Sequence, residues 1–415
     1  MTRLLRKILL LPALAVSVAL AAGPPAGADQ PDDWPRFRGP DGGGVYAKGD
    51  VPLSCDLKTG ANIAWSVESS LDGYGSPVVW GEHVFISGGD DSKREVASFD
   101  LRTGALEWKS AVPDGERSET PDQSGMAAAT PATDGRRVYA IFANGDLVAF
   151  NFDGGVAWSK NLGAPKNGYG HATSLLTVGE RVIVQLDQGD AEDKLSKLIA
   201  FDGATGTVAW EQPRAAGASW ATPITFDAAG RSQILALGVP WAISYAAKDG
   251  AEIWRAECLD GEVAPSPVFA GGMVFVVSPL NKLQAISPGG SGDVTKTHLG
   301  WIAEDGIPDV TSPVSNGELV FLVDTGGTIT CYDARTGRKQ WQHDLEEECK
   351  ASPSIVGGKL ILISLKGTVI AVDAAREFHE AARSALGEEV FASPAFASGK
   401  IIVRGRKHLI CIGAK

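Results

Sequence analysis

The chain has 415 residues, 44% of them hydrophobic, and 50 Asp and Glu against 38 Lys and Arg give a formal net charge of −12. This length admits several small domains or one large repeat array. The acidic balance excludes general nucleic-acid binding and a polybasic membrane contact, because both need an excess of Lys and Arg. Fifty glycines and 23 prolines without a collagen-like period indicate many tight turns.

The first 28 residues have the order of an export signal. Three basic residues precede an apolar run from Ile8 to Ala22, and Ala26-Gly27-Ala28 fits a cleavage site. This order predicts a secretory signal peptide over residues 1–28, and hence an exported protein that is periplasmic or extracellular. The alternative is a membrane anchor, which a short run interrupted by Pro12 disfavours.

Residues 29–61 show no periodic pattern. They contain Trp34-Pro35-Arg36-Phe37-Arg38-Gly39-Pro40, followed by Gly42-Gly43-Gly44. We expect an irregular arm whose aromatic side chains dock on the main body.

Residues 62–415 repeat one unit, whose clearest copy runs from Ser312 to Trp341. In this copy, the turn signals Asn316-Gly317, Gly326-Gly327 and Thr336-Gly337 separate four short runs rich in β-branched and aromatic residues. The pattern predicts four antiparallel strands joined by tight turns. One sheet of this size cannot bury both of its faces, so the unit predicts an array of packed copies.

The copies begin at Ser or Thr residues that usually precede Pro and lie 40 to 54 residues apart. This spacing fits four-stranded propeller blades. The starts in chain order are Ser76, Thr130, Thr173, Thr222, Ser266, Ser312, Ser352 and Ser393. In the seventh copy, Ala374 to Leu386 has helical propensity, although the repeat requires a strand over Phe378 to Leu386.

The two ends of the repeat region are complementary. The eighth copy stops after three strand-like runs, the last of which includes Cys411, whereas Asn62 to Trp65 resembles a fourth strand without its first three. Joining the two ends leaves no exposed sheet edge in the ring. We therefore predict an all-β, eight-bladed propeller over residues 62–415, closed by Asn62 to Glu68 beside blade 8, and a monomer.

A tryptophan follows the Thr-Gly turn at a fixed distance, as in Thr103-Gly104 to Trp108. WD40 and kelch repeats fit less well, because the chain has no Trp-Asp dipeptide and its Gly-Gly doublets lie elsewhere. The Ser/Thr-Pro start, the Asp-x-x-Thr-Gly turn and this tryptophan together resemble the repeat of pyrroloquinoline-quinone (PQQ)-type, or quinoprotein-type, β-propellers over essentially all of residues 62–411. The architecture resembles that of BamB, the outer-membrane assembly lipoprotein, and departs from it in lacking a lipidated cysteine.

The resemblance implies a structural role for the outer-strand tryptophans, which would dock between neighbouring blades. The tryptophans at these positions are Trp65, Trp108, Trp158, Trp210, Trp254, Trp301 and Trp341. Quinoprotein alcohol dehydrogenases would further imply two adjacent cysteines, a calcium site, a catalytic Asp and, in some members, a haem motif. None of these motifs is recognisable, so we predict no catalytic residue, no metal site and no cofactor, with PQQ and calcium as the alternative.

The cysteines and the acidic loops are further candidate sites. The cysteines are Cys55, Cys258, Cys331, Cys349 and Cys411, with no C-x-x-C spacing. A disulfide between Cys258 and Cys349 is an open alternative to free thiols. We interpret the acidic loops at 187–193 and 88–91 as solvated turns, with weak calcium binding by the first as the alternative.

Propellers usually bind ligands near the axis, with the loops of one face. Loops that enter each first strand share a face with loops between the second and third strands, and the residues there that break the repeat pattern are the candidates for binding. These residues are Tyr169, His171, Trp220, Trp241, Asp309 and Lys350. Trp220 and Trp241 are expected to be exposed, and plugging of the channel mouth is the alternative to binding.

Three functional hypotheses follow. The first is an exported, non-catalytic scaffold in the cell envelope that binds a protein or peptide partner. The second is a PQQ-dependent oxidoreductase, and the third is a propeller that binds carbohydrate, because aromatic and polar groups together suit a peptide or a glycan.

Overall fold

The computed structural model describes residues 32–47, 49–113 and 119–414, so the expected signal peptide lies outside the described residues. These residues form eight sheets arranged around a ring. Each sheet has four antiparallel strands that lie side by side from the axis outward. Contacts between the first strands of neighbouring sheets arrange the sheets as blades around an axis. The predicted all-β, eight-bladed propeller is confirmed. Its described part contains one helical turn, a 3₁₀ turn at Ala191–Asp193.

The strands of the first four blades alternate direction from the axis outward. Blade 1 consists of Val78–Trp80, His83–Gly89, Arg94–Asp100 and Leu106–Ala111. Blade 2 consists of Ala132–Thr133, Arg137–Ile141, Asp146–Asn151 and Val156–Asn161. Blade 3 consists of Leu176–Val178, Arg181–Leu186, Lys197–Asp202 and Val208–Pro213. Blade 4 consists of Ile224–Ala228, Arg231–Gly238, Trp241–Ala246 and Glu252–Glu257.

The other four blades follow the same order. Blade 5 consists of Val268–Ala270, Met273–Ser278, Lys282–Ile286 and Leu299–Ala303. Blade 6 consists of Val314–Ser315, Leu319–Val323, Thr328–Asp333 and Lys339–Asp344. Blade 7 consists of Ser354–Val356, Lys359–Ile363, Thr368–Asp373 and Glu380–Ala385. Blade 8 consists of Ala395–Ala397, Lys400–Arg404, His408–Ile412 and, from the N-terminal part of the chain, Ile63–Glu68.

The ring is closed by the two ends of the repeat region, as predicted. Ile63–Glu68 pairs antiparallel with His408–Ile412, and Trp65 stands opposite Cys411. The closing strand therefore gives blade 8 the fourth strand that its own copy lacks.

The fourth strand of blade 7 forms despite the helical propensity of its sequence. Glu380–Ala385 pairs antiparallel with Thr368–Asp373 along its whole length. The pairing edge of the third strand outweighs the weak local preference, which is the usual outcome when tertiary context and propensity disagree.

Two sheets gain a short fifth strand in parallel orientation. Val45–Tyr46 of the arm pairs with the first strand of blade 7, so the arm is not wholly irregular. Gly292–Asp293 pairs with the outer strand of blade 4, beside Trp254 and Arg255.

Most outer-strand tryptophans lie against the following blade. The indole N–H of Trp65 donates a hydrogen bond to Leu101 O at 2.9 Å, and that of Trp108 donates to Phe152 O at 2.7 Å. Three further indoles donate to backbone carbonyls of the next blade at 2.9 Å, and they belong to Trp158, Trp301 and Trp341. These contacts tie the outer rims of successive blades together.

Two tryptophans depart from this arrangement. The ring of Trp210 lies against Gly250 of the next blade, but its buried N–H has no partner among the described residues. The N–H of the fully buried Trp254 donates to Gln233 Oε1 of its own blade at 3.0 Å.

The acidic loop of blade 3 is not a wholly solvated turn, contrary to expectation. Asp187 is buried, and the Arg214 guanidinium donates to both of its carboxylate oxygens at 2.8 and 3.0 Å. The residue therefore belongs to a buried ion pair, which needs such bidentate geometry to offset desolvation. Among the residues with described coordinates, no group of His, Cys, Asp and Glu could hold a metal ion.

All five cysteines are buried and free, so the Cys258–Cys349 alternative is wrong in this structure. Burial raises the pKa of each of these two thiols to about 12. In the described ranges, no helix is long and apolar enough to cross a membrane.

Candidate functional site: the axial channel and its two mouths

A ring of hydroxyl groups surrounds the axis. Its members are Ser76, Thr130, Ser174, Thr222, Ser266, Ser312, Ser352 and Ser393, so Ser174, and not Thr173, represents blade 3. The backbone N–H of Ser76 donates to Thr130 Oγ1 at 2.9 Å, and six more such bonds link successive members up to Ser393 at 2.9 to 3.2 Å. The Ser/Thr start of each copy therefore serves to join the blades, with its hydroxyl oxygen as acceptor.

The N-terminal arm closes the lower mouth, at the ends of the first strands. Trp34 is fully buried and exchanges two backbone hydrogen bonds with Val79 of blade 1, at 2.9 and 2.8 Å. Its ring meets Phe396 of blade 8 edge-on, with centroids 5.1 Å apart. The arm is thus held by packing and by strand-like pairing at the same point.

Two arginines carry the arm across the lower mouth. Arg36 Nη1 donates to Thr177 O of blade 3 at 2.7 Å, and Arg38 Nη2 donates to Pro313 O at 2.5 Å, beside blade 6. Burial lowers the pKa of Arg38 to about 9. Gly44 has φ +77°, and a Cβ there would lie 2.7 Å from Arg38 Nη2, so the chain can pass this guanidinium only as glycine.

The upper mouth is formed by the residues two positions before each ring hydroxyl. They are Tyr74, Ala128, Ala172, Trp220, Ala264, Val310, Lys350 and Phe391. With the hydroxyl ring as walls and Phe37 of the arm as a further lining residue, they enclose a cavity of about 190 Å³. Cavities for drug-sized ligands run from about 300 to 1,000 Å³. This one is suited to a single side chain or a small molecule.

The aromatic residues of the upper mouth form two groups. Tyr74 and Phe391 meet edge-on, with centroids 5.0 Å apart, and Trp220 meets Tyr169 in the same way at 4.7 Å. Blades 4 and 8 are four positions apart in an eight-membered ring, so the two groups lie on opposite sides of the axis.

The polar atoms of the second aromatic group differ in their bonding. The Tyr169 hydroxyl donates to Glu262 at 3.1 Å, and this bond to a carboxylate raises the pKa of the phenol. The Trp220 indole N–H is buried and has no hydrogen-bond partner among the described residues. The indole N–H groups of Trp34 and Trp210 are also buried without such a partner, so this feature is shared by tryptophans inside and outside the upper mouth.

Basic groups stand beside the first aromatic group. Arg404 is buried and donates to Gly75 O at 2.8 Å and Leu71 O at 3.0 Å, and burial lowers its pKa to about 10. Arg406 lies 5.7 Å from the Tyr74 ring centroid and pairs with Asp72 at 2.9 Å. Cations therefore surround the Tyr74 side of the mouth.

The structure brings together three of the six candidate residues. Trp220 and Lys350 line the cavity, and Tyr169 contacts Trp220. Trp241 lies on the third strand of blade 4, where the Arg255 guanidinium is 5.2 Å from its ring centroid. Trp220 and Trp241 are half-buried, which corrects the expectation that they are exposed.

The other two candidates serve local structure. His171 is buried, with its Nε2 3.1 Å from Gly163 O, and burial lowers its pKa to about 4. Asp309 accepts a hydrogen bond from the Thr325 hydroxyl.

Three aromatic residues of the cavity escaped the sequence analysis, namely Phe37, Tyr74 and Phe391. Tyr74 and Phe391 could have been found, because they occupy the same position in their copies as Trp220 does in its own. Phe37 carries no such signal, since the arm has no repeat register.

The fold and the repeat define a PQQ-type repeat propeller, and comparisons with known proteins give its family. A family model described as outer membrane protein assembly factor BamB matches residues 30–185, 92–238, 194–305 and 298–412. These ranges span most of the chain, and the protein belongs to this family. No curated protein matches the chain.

Solved structures share the fold at low sequence identity. BamB from Moraxella catarrhalis is 14% identical with a TM-score of 0.61, and covers 84% of this chain and 96% of its own. A quinohemoprotein alcohol dehydrogenase from Pseudomonas putida is 12% identical with a TM-score of 0.69, at coverages of 93% and 81%. A europium-containing methanol dehydrogenase is 12% identical with a TM-score of 0.57, at coverages of 90% and 89%. At this level of identity, these similarities establish the fold and do not establish a ligand or an activity.

The residues of the channel do not fit PQQ with a calcium ion. Calcium needs six to eight oxygen ligands, usually with several carboxylates, and the cavity lining contains no Asp or Glu. The ring hydroxyls already accept backbone hydrogen bonds, and Phe37 reaches the cavity from below. No pair of adjacent cysteines exists in the sequence. We therefore derive no redox step at this site.

Proposed function

We propose that this protein is an exported, non-catalytic scaffold of the cell envelope that binds a segment of a partner protein at the upper mouth of its channel. Membership of a family named for an assembly factor supports a role in protein interaction. The observation that carries the proposal is the lining of the upper mouth, where Trp220, Tyr74 and Phe391 surround a cavity of about 190 Å³. Tyrosine and tryptophan are the residues most enriched in the centres of protein interfaces.

The chemistry of the mouth favours an apolar side chain flanked by polar groups of the partner. The cavity lining consists of hydroxyl, methyl and aromatic groups together with Lys350, so an inserted apolar side chain loses water mainly to apolar and already bonded groups. Lys350 offers a cation at the rim for a carboxylate or a carbonyl of the partner.

Site-specific photocrosslinking tests the proposal. A photoreactive residue replaces Lys350 at the upper mouth, and in a control protein it replaces Lys296, which is exposed on the outer loop of blade 5. Both proteins are exported in the native host and irradiated. We expect defined crosslinked products from position 350 that are absent from position 296 and that disappear when Trp220 and Phe391 are both changed to Ala.

The alternatives are tested with the same purified protein. It is titrated with PQQ and calcium and assayed with alcohols, sugars and an artificial electron acceptor, and it is screened on an oligosaccharide array. Turnover would replace the scaffold proposal with an oxidoreductase. Saturable glycan binding that is lost in Trp220→Ala would replace it with a carbohydrate-binding function.

A further inference from the structure

The hydrogen-bonded ring around the axis has one open joint, which lies between blades 8 and 1. Seven bonds run from the backbone N–H of one ring residue to the hydroxyl oxygen of the next, and the last of them joins Ser352 to Ser393. A bond from the Ser393 N–H to Ser76 Oγ would close the ring, and the described residues do not form it. Both residues stand two positions before the first strand of their blade, as the other ring members do, and these two strands are in contact.

The open joint leaves buried donors without acceptors. Ser76 is 3% exposed and Ser393 is 5% exposed, and both line the cavity of about 190 Å³. In the part of the chain that the structure describes, the Ser393 N–H has no acceptor and neither hydroxyl group donates to an oxygen of the protein. Three donors therefore meet at one point of the cavity wall. Buried donors need an acceptor, and at this point the described chain supplies none.

A buried guanidinium group stands beside this joint. Arg404 Nη1 donates to the carbonyl oxygen of Gly75, the residue before Ser76, at 2.8 Å. Arg404 also lines a cleft together with Ala392, the residue before Ser393. The guanidinium group is therefore close to both sides of the open joint.

The cations near the joint have no carboxylate partner within the described ranges. Arg404 is 3% exposed, and its pKa of about 10, lowered by burial, keeps it charged at neutral pH. The nearby Asp72 carboxylate pairs with Arg406 instead, at 2.9 Å. Lys350 is half-buried at the mouth, and the cavity lining contains no Asp or Glu. Water would satisfy the free donors but would leave these buried charges without a counterion, so the charge favours an anion.

We propose that the open joint binds an oxyanion, either a free ion such as phosphate or a carboxylate group of a polypeptide. Its oxygens accept from the Ser393 N–H and from the hydroxyl groups of Ser76 and Ser393, and Arg404 and Lys350 provide the positive charge. Hydrogen bonds to a charged acceptor are stronger than those between neutral groups. The site does not depend on the proposed scaffold function, since a free ion is sufficient to fill it.

Amide NMR of the full mature protein, labelled with ¹⁵N-serine, tests the site. The probes are sodium phosphate, sodium acetate, and acetyl-Gly-Gly with either a free carboxylate or a terminal amide, and sodium chloride at the same ionic strength is the control. We expect a saturable downfield shift of the Ser393 N–H with phosphate or a carboxylate, and none with chloride or the amide peptide. Tighter binding of the peptide acid than of acetate would identify a polypeptide carboxylate as the ligand. Binding of phosphate alone would identify a free ion.

Ser76→Ala removes a proposed donor without removing a hydrogen bond within the described chain. It should weaken oxyanion binding at least about 10-fold, because a hydrogen bond to a charged group contributes more than one between neutral groups. The thermal unfolding temperature should stay the same. Ser76→Thr keeps a hydroxyl group, as Thr130 does in blade 2, and should retain binding.

A pair of lysine variants tests the contribution of charge. Lys350→Gln should weaken binding at least about 3-fold, whereas Lys296→Gln, the same change on the exposed outer loop of blade 5, should not. The absence of a saturable shift with every oxyanion, an equal shift with chloride, or unchanged affinity in Ser76→Ala would overturn the proposal. Crosslinking to a partner plays no part in this titration, so the oxyanion site and the scaffold function are tested separately.

Discussion

The two mouths of the channel use aromatic side chains in opposite ways. At the lower mouth, Trp34 is fully buried, edge-on to Phe396, and its backbone is paired with blade 1. At the upper mouth, the Trp220 ring is half-buried. The indole N–H groups of both residues lack a partner among the described residues, so the two mouths differ in the burial of the ring and not in the bonding of the N–H.

The difference shows how to separate structural from binding aromatics in a propeller. Full burial holds the Trp34 side chain, and an indole hydrogen bond to Leu101 O holds that of Trp65. The Trp220 side chain has neither within the described chain. Substitutions at the lower mouth should therefore lower the free energy of unfolding, whereas substitutions at the upper mouth should mainly affect the binding of a partner.

The largest expected effect is at the lower mouth. Trp34→Ala should lower the free energy of unfolding by about 3–5 kcal/mol, because it leaves a cavity between the arm, Tyr46 and Phe396. Urea denaturation followed by circular dichroism measures this change. A loss below about 1 kcal/mol would mean that the arm contributes little to the ring.

Acid should destabilise the fold through the buried His171. His171 has a pKa of about 4 in the folded chain, below the value of about 6.5 for an unfolded histidine. The unfolded state therefore binds the proton more readily, and stability falls as pH drops from about 6.5 to 4, by about 3 kcal/mol in total.

Urea denaturation at pH 7.5, 6 and 5 measures the slope of the unfolding free energy against pH. His171→Gln should remove most of the slope that is due to this histidine. An unchanged slope in His171→Gln would assign the acid sensitivity to other groups.

Removing the aromatic side chain below the cavity should have an intermediate effect. Phe37 is half-buried, so Phe37→Ala should cost about 1–2 kcal/mol of unfolding free energy. It should also enlarge the cavity toward the arm while leaving the aromatic groups of the upper mouth in place. Chemical denaturation gives the first quantity and a crystal structure of the variant gives the second. A cost above about 3 kcal/mol would make Phe37 a core residue of the arm.

The smallest effect on stability is expected at the upper mouth. Trp220→Ala should change the unfolding free energy by less than about 1 kcal/mol, since the ring is half-buried and its N–H makes no bond that would be lost. The same change should weaken the crosslinks from position 350, which the double change of Trp220 and Phe391 should abolish. Thermal unfolding and crosslinking are measured on one preparation. A fall in stability with unchanged crosslinking would contradict the proposed difference between the two mouths.

The sequence was sufficient for the fold because each copy repeats the same local signals. Turn residues such as Asn316-Gly317 and regular spacing predict four strands per copy, and the unmatched ends at Ile63 and Ile412 predict the closure. Blade 7 shows the limit of local signals, since Glu380–Ala385 is a strand only because a neighbouring strand edge is available.

The site was predictable only where it shares the register of the repeat. Trp220 and Lys350 stand out as exceptions to a pattern, and Tyr74 and Phe391 would have done so with the register defined from the hydroxyl ring. The burial of Asp187 was not predictable, because its partner Arg214 is brought to it by the fold and not by sequence spacing. The position of Phe37 likewise depends on long-range contacts of the arm.

The closure of blade 8 by Ile63–Glu68 has a kinetic consequence. During synthesis this strand emerges before blade 1, but its antiparallel neighbour in the described sheet, His408–Ile412, is made only after blades 1 to 7. The closing strand must therefore wait, unpaired and open to proteolysis or wrong pairing, until blades 1 to 7 and the third strand of blade 8 have been made. Contacts of such high sequence separation slow folding, because the entropy of closing the loop is lost before any contact is gained. Removal of the last ten residues would thus release both ends of the ring at once.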